Sequence, residues 1–135
     1  MRVPDEIWGS LLPREDKQIG VTEAMAVALG IETFKEQLRD SVVSSFIDNA
    51  GTMAGFIKGS SASAEQNIMI GESWMEFARS RIAIQFWRVA SKCNCADGPS
   101  RYVFSFMEGL GAHFVDPVLP DYLWNIWNVA QEPGV

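Results

Sequence analysis

The sequence predicts an α/β domain, in which strands and helices alternate along the chain. A strand-like apolar segment at residues 42–48 is followed by two helical patterns and by a second strand-like segment at residues 82–89. Short links between strand, helix, helix and strand favour two parallel strands joined by a helical crossover. The chain has 135 residues, 47% of them hydrophobic and 21% charged, which suits one domain with a real core.

Ahead of the first of these strands, the sequence predicts a short strand and a long helix. Residues 7–12 form an apolar run between two prolines, which favours a strand. From residue 18 to residue 38 the pattern is helical, with one face made of Glu23, Val27, Ile31, Phe34 and Leu38. Glu23 is the exception on this apolar face, because burying an acid is costly unless something pairs it.

The segment at residues 42–48 has apolar or small side chains on both faces, and it ends on Asp48. Strands of this composition are typical of a sheet that is covered on both sides. A short helix over residues 50–58 follows, and Gly59 provides a C-cap. A longer helix over residues 63–79 begins at Ser63, with Gln66 completing a capping box.

After residue 101 the chain becomes irregular but stays aromatic. Glycines and prolines interrupt it, while phenylalanines and tryptophans keep it apolar. We expect a tail over residues 102–135 that packs on the domain or on a partner, with a short helix at residues 121–129. The organised domain is therefore expected to span residues 1–101.

Composition limits the class of protein. The net charge of −6 argues against a basic surface that binds phosphate groups by itself. No run of 18 apolar residues exists and the first residues lack a signal-peptide core, so we expect no membrane span and an intracellular protein, cytoplasmic or nuclear and not secreted. Cys93 and Cys95 are too close for an easy disulfide and are expected to be reduced thiols.

Three acids stand where such a sheet could bring them together. Glu23 lies on the helix that faces the sheet, Asp48 ends the first strand, and Asp97 follows the second strand. Sites in parallel sheets form beyond the carboxyl ends of the strands. Carboxylates are the ligands that Mg²⁺ and Mn²⁺ prefer, and two such ions can hold the attacking water and the leaving oxygen of a phosphodiester. The acids therefore predict a divalent metal site.

Each acid also has a purely structural reading. Asp48 suits the cap of the following helix, and Asn49 suits it equally well. Asn94 followed by Asp97 at the third position is a legitimate capping arrangement, and Glu23 also fits as a first-turn acid.

Three features follow one another in the chain: a helical Glu, the segment FIDNAGTMAGFIKGSS (residues 46–61) and the segment IAIQFWRVASKCNCADGPSR (residues 82–101). In this order they resemble the ribonuclease H domain of retroelement reverse transcriptases. The resemblance covers residues 3–101 and implies a three-layer α/β fold. It implies metal-dependent hydrolysis of the RNA strand of an RNA–DNA hybrid, with two Mg²⁺ or Mn²⁺ ions. Glu23, Asp48 and Asp97 match three of the four metal-binding acids of that family. We expect contacts to nucleic acid from Asn49, Lys58, Arg88, Asn94 and Arg101.

The sequence departs from that family at its beginning. The family opens with two further strands, the first of which carries another metal-binding Asp, whereas this chain has about twenty residues before the Glu23 helix. The family's loop histidine is also unmatched, since His113 follows the last acid. We therefore expect an N-terminally truncated domain, completed by another polypeptide such as the rest of a reverse transcriptase. The alternatives are an inactive remnant that binds nucleic acid or protein, and a related exonuclease or integrase.

Overall fold

A computed structural model of the chain describes residues 3–11 and 19–126. The described elements are two strands, six α-helices and two 3₁₀ turns: α1 (Asp5–Ser10), α2 (Ile19–Leu38), β1 (Val42–Ile47), α3 (Ala50–Lys58), α4 (Ala64–Ser80), β2 (Ala83–Arg88), a 3₁₀ turn (Ser91–Cys93), α5 (Asp97–Ser100), α6 (Ser105–Gly109) and a last 3₁₀ turn (Asp121–Asn125). The two strands pair in parallel, with Val42 opposite Ala83 and Ile47 opposite Arg88. The α/β class and the parallel pairing are as the sequence predicts.

Local capping chemistry explains the bounds of the two crossover helices. The side chain of Asn49 accepts a hydrogen bond from the backbone N–H of Thr52 at 2.9 Å and so begins α3. Gly59 ends α3 in the left-handed region, with φ of 84°, a conformation that glycine adopts without strain. Ser63 accepts from the backbone N–H of Gln66 and begins α4. Of the two predicted caps for α3, Asn49 is therefore the one used.

The strand predicted at residues 7–12 is wrong, because the structure forms the helix α1 there. Pro4 precedes the helix, and Asp5 and Glu6 lie in its first turn, where the helix dipole favours acids. Ile7 and Leu11 are one helical turn apart and both are buried, so a helix places the two apolar side chains on one side. A short apolar run does not distinguish a strand from a helix by its period alone.

The main core lies between the helices rather than under the sheet. Its buried members come from α1, α2, α3, α4 and the last turn, with one residue from β1: Ile7, Leu11, Val21, Ala24, Met25, Ile47, Phe56, Ile68, Met69, Ile70, Leu123 and Ile126. A smaller cluster of Ile31, Phe77 and Ile82 continues it towards the strands. The ring of Phe86 joins the strands to this core, because its centroid lies 5.2 Å from that of Phe56.

The helices cover one face of the sheet, which differs from the predicted cover on both faces. On the outer face Val42, Phe46 and Trp87 are 78%, 65% and 50% exposed. The reason is topological: α3 and α4 belong to the single crossover between β1 and β2 and therefore lie on the same side, and α2 packs on α4. The third layer that the resemblance implies stays a prediction.

The C-terminal region has two parts with different packing. Residues 102–118 are largely exposed although many of them are apolar, and the backbone N–H of Val118 donates to the Thr33 hydroxyl at 2.9 Å. Beyond this point Leu123 and Ile126 are fully buried against the domain. The helix predicted at residues 121–129 is a 3₁₀ turn at Asp121–Asn125, and residues 127–129 lie outside the described part of the chain.

Candidate functional site

Asp48 occupies the first position after β1, at the carboxyl end of the strand. Because Asn49 caps α3, the Asp48 carboxylate is available for another contact. Its Oδ2 accepts a hydrogen bond from the Asn94 side-chain amide at 3.0 Å. Asn94 follows the turn after β2, so this contact joins the chain segments that leave the two parallel strands. The carboxyl ends of both strands therefore meet at one polar point, as expected for a parallel pair.

An open cleft of about 540 Å³ lies at this end of the sheet. Glu23, Asp48 and Asp97 all line it, together with Asn94. The remaining wall is mainly small or apolar and comes from the residue ahead of α1, from α2 and from the segment after β2: Val3, Thr22, Met25, Ala26, Leu29, Ala96, Pro99, Ser100 and Tyr102. The structure thus brings the three sequence-predicted acids to the walls of one cavity, which we call the acidic cleft.

The two inner acids of the acidic cleft influence each other. Partial burial raises the pKa of Glu23 above its usual range, and the negative charge of Asp48 raises this pKa further. Within residues 3–11 and 19–126, neither carboxylate has a basic side chain in ion-pairing range. Asp97 differs, because its Oδ1 lies 3.5 Å from Nη2 of Arg101 and its side chain is 44% exposed. Uncompensated negative charge is therefore concentrated on Glu23 and Asp48.

The donor set suits a hard divalent cation, although not as a closed cage. No group of three His, Cys, Asp or Glu side chains within the described residues is close enough to hold one metal ion. Mg²⁺ is commonly held by one or two carboxylates and keeps several waters. Glu23 and Asp48 supply two carboxylates in one cleft. Burial and the charge of Asp48 both raise the pKa of Glu23, and a bound cation would relieve the repulsion between the two carboxylates.

The residues expected to contact nucleic acid fall into two groups. Asn49 and Asn94 use their side-chain oxygens within the protein, to cap α3 and to accept from the Ala96 backbone N–H at 3.0 Å. Lys58, Arg88 and Arg101 are exposed, at the last turn of α3, the end of β2 and the end of α5. The structure leaves these three cations accessible to a ligand.

The segment between β2 and α5 holds a contact that the sequence did not reveal. The Asn94–Asp48 hydrogen bond spans 46 positions in the chain. The only available signal was that each residue follows the end of a predicted strand. Cys93 and Cys95, on either side of Asn94, are free and exposed.

A groove of about 370 Å³ adjoins the acidic cleft and runs along β1. One wall is β1 from Val43 to Asp48, and the other is the face of α2 from Glu23 to Leu38. Within the described residues β1 pairs only with β2, so its other edge has no strand beside it. An unpaired edge with an apolar groove beside it is a place where a further strand can add.

Fold and site together define an α/β protein with an acidic cleft at the carboxyl end of a parallel strand pair. Comparison with protein-family models, with curated proteins and with solved structures finds no match for this chain. Within the described residues, no helix has both the length and the apolar character that a membrane crossing requires.

Proposed function

We propose that this chain is a ribonuclease H-like domain derived from a retroelement reverse transcriptase. In this proposal it hydrolyses the RNA strand of an RNA–DNA hybrid with Mg²⁺ or Mn²⁺, once further strands complete its sheet. One observation carries the proposal: Glu23 from α2 and Asp48 from the end of β1 line the same cleft and interact electrostatically. The three-layer fold of that family belongs to the proposal as well.

The chemistry assigned to each group follows from its position. Glu23 and Asp48 are the residues that would hold a divalent cation, and Asp97 at the rim of the acidic cleft is the third candidate ligand. When bound, such ions supply activation of the attacking water and stabilisation of the leaving oxygen. The protein itself contributes orientation of the carboxylates. The exposed Lys58, Arg88 and Arg101 are the candidates for contact with the phosphates of the hybrid.

The groove along β1 supports the idea of completion by further strands. Its walls include Val27, Ile31 and Phe34 of α2, which would cover the apolar side chains of an added strand. Backbone groups on the open edge of β1 would pair with that strand, and its end would reach the acidic cleft beside Asp48. The partner in this proposal is the rest of a reverse transcriptase polypeptide.

Calorimetric titration with Mn²⁺ tests the metal site directly. We expect binding heat with the wild-type chain and its loss in Asp48→Asn, because the substitution removes the charge but keeps the shape of the side chain. Asp116→Asn is the matched control, since Asp116 is exposed and lines neither the cleft nor the groove. Equal heats from wild type and Asp48→Asn would contradict the site.

The second candidate is a catalytically inactive remnant that acts as a nucleic-acid or protein binding module. It is favoured by the lack of a three-ligand metal group within the described residues and by the net charge of −6. Cleavage of a labelled RNA–DNA hybrid at high protein concentration, with Mg²⁺ or Mn²⁺, separates the two. Metal-dependent cleavage supports the nuclease, and binding without cleavage supports the remnant. Duplex DNA as a competitor tests for a related nuclease of the same fold.

A further inference from the structure

We propose that Asn94 is a positioning residue that fixes the Asp48 carboxylate and the segment carrying Asp97 at the mouth of the acidic cleft. The inference rests on the proposed function only for what the cleft binds. The positioning itself is a property of the contacts within the chain. Asn94 would act through Asp48 and Asp97 rather than by touching the substrate.

The side-chain amide of Asn94 is held at both ends. Its Nδ2 donates to Asp48 Oδ2 at 3.0 Å, and its Oδ1 accepts from the backbone N–H of Ala96 at 3.0 Å. A primary amide has a donor end and an acceptor end, so rotating it by half a turn breaks both hydrogen bonds. Each contact therefore selects the amide orientation that the other contact needs.

The backbone of Asn94 extends the connection to the third acid. Its carbonyl oxygen accepts a hydrogen bond from the backbone N–H of Asp97 at 3.0 Å. One residue is thus bonded to Asp48 through its side chain and to Asp97 through its main chain. This arrangement couples the end of β1 to the segment that follows β2, which carries Asp97.

The hydrogen bond also acts on the orientation of the Asp48 carboxylate. The charge of Glu23 repels Asp48, and a free aspartate side chain would turn away from it. The donor from Asn94 engages one oxygen of Asp48 and compensates part of its charge. Within the described residues Oδ1 of Asp48 has no hydrogen-bond partner, so this oxygen remains available to a cation.

The competing explanation is that Asn94 is a helix cap, and the geometry disfavours it. Helix α5 is preceded by Ala96, and no side-chain cap bonds to its first turn. The amide of Asn94 is instead directed across to Asp48, 46 positions away in the chain. A cap serves its own helix, whereas Asn94 connects two elements that meet only in the folded protein.

The first experiment needs no metal and measures amide hydrogen exchange by NMR. The probes are the backbone N–H groups of Cys93, Asn94 and Asp97, which are all hydrogen-bonded within this segment. We expect Asn94→Ala and Asp48→Ala each to speed their exchange roughly tenfold, the factor expected for loss of a hydrogen bond to a charged group. The double variant should show no further increase over Asn94→Ala, because that substitution already removes the contact to Asp48.

Asn67→Ala is the matched control for this experiment. Asn67 also accepts a backbone hydrogen bond through its side chain, from Ser61 at 3.0 Å, but it does not line the acidic cleft. We expect this variant to leave exchange at Cys93, Asn94 and Asp97 unchanged. If Asp48→Ala also leaves these amides unchanged, Asn94 does not couple Asp48 to the segment and the inference is overturned.

The second experiment measures Mn²⁺ affinity and thermal stability in the same variants. We expect Asn94→Ala to weaken Mn²⁺ binding by about tenfold or more, as for other residues that support a metal-binding carboxylate. Asn67→Ala, with a comparable loss of stability, should bind Mn²⁺ like wild type. Wild-type affinity in Asn94→Ala would overturn the positioning role. Absence of Mn²⁺ binding by wild type would refute the proposed metal site, and the exchange experiment would still decide the coupling.

Discussion

Helix α2 forms a wall of two clefts, in which Glu76 and Glu23 have opposite electrostatic surroundings. The second, a cleft of about 640 Å³ between α2, α4 and residues 120–122, is lined by Glu76. Arg79 donates to Glu76 at 3.0 Å, the hydroxyl of Ser80 donates at 3.1 Å, and Nζ of Lys35 lies 3.7 Å away. In the acidic cleft, Glu23 faces the charge of Asp48 instead.

The two environments shift the pKa values in opposite directions. Burial acts to raise the pKa of Glu76, but the hydrogen bonds from Arg79 and Ser80 and the nearby positive charges outweigh it, and the net shift is downward. Burial and the neighbouring acid both raise the pKa of Glu23. Of the two acids compared, Glu76 has charged and hydrogen-bonding partners, whereas the partly buried Glu23 has a like charge beside it. That difference is why we assign function to the acidic cleft and a structural role to Glu76.

The largest effect is expected for Glu76→Gln, which should lower the free energy of unfolding by about 1 kcal/mol at pH 7. Because the folded-state pKa of Glu76 lies below its ordinary value of 4.5, its contribution is present above pH 4.5 and is lost as the pH falls through the folded pKa. Urea denaturation across this pH range measures the cost. Glu108→Gln is the control, since Glu108 is exposed and does not line this cleft. If Glu76→Gln lowers the free energy of unfolding equally at acidic pH, the ionised Glu76 carboxylate does not stabilise this cleft.

A smaller and opposite effect is expected for Glu23→Gln, which should stabilise the protein at neutral pH. The raised pKa of Glu23 means that its contribution to stability is fully present below the unfolded value of 4.5 and is lost as the pH rises through the folded pKa. The gain over wild type should therefore be absent in acid and grow above pH 4.5. Paired denaturation curves at acidic and neutral pH measure it, with exposed Glu108→Gln as the control. A destabilised variant at pH 7 would mean that Glu23 has a partner that balances its charge.

The smallest effect is expected for Asp97→Asn, because Asp97 lies at the exposed rim of the acidic cleft. Its ion pair with Arg101 joins side chains that are 44% and 75% exposed, so stability should change by less than about 0.5 kcal/mol. Thermal denaturation in low and high salt measures this change. A loss above about 1 kcal/mol would show that Asp97 belongs to a buried network with Glu23 and Asp48.

The sequence was sufficient to predict the elements whose signals are local. Helices α2, α3 and α4 follow from the spacing of apolar residues, and the start of α4 follows from Ser63 as its cap. For α3 the sequence left Asp48 and Asn49 open as caps, and the structure uses Asn49. The placement of the three acids on one cleft was also expected, because parallel strands end at the same edge. Helix α1 was missed, since six residues do not carry enough periodicity to distinguish a helix from a strand.

What the sequence by itself determined is the order strand, helix, helix, strand from β1 to β2, together with Gly59 and Ser63 as the end of α3 and the start of α4, because these depend on neighbours a few positions apart. The parallel pairing followed from that order, since a helical crossover joins parallel strands. Only the tertiary structure decided that the helices cover one face of the sheet, that Glu76 is balanced while Glu23 is not, and that Asn94 bonds to Asp48. These features depend on residues such as Asn94 and Asp48, which are 46 positions apart and meet only when the crossover brings the two strand ends together. Charge balance and carboxylate orientation depend on such long-range contacts, which no local sequence pattern encodes.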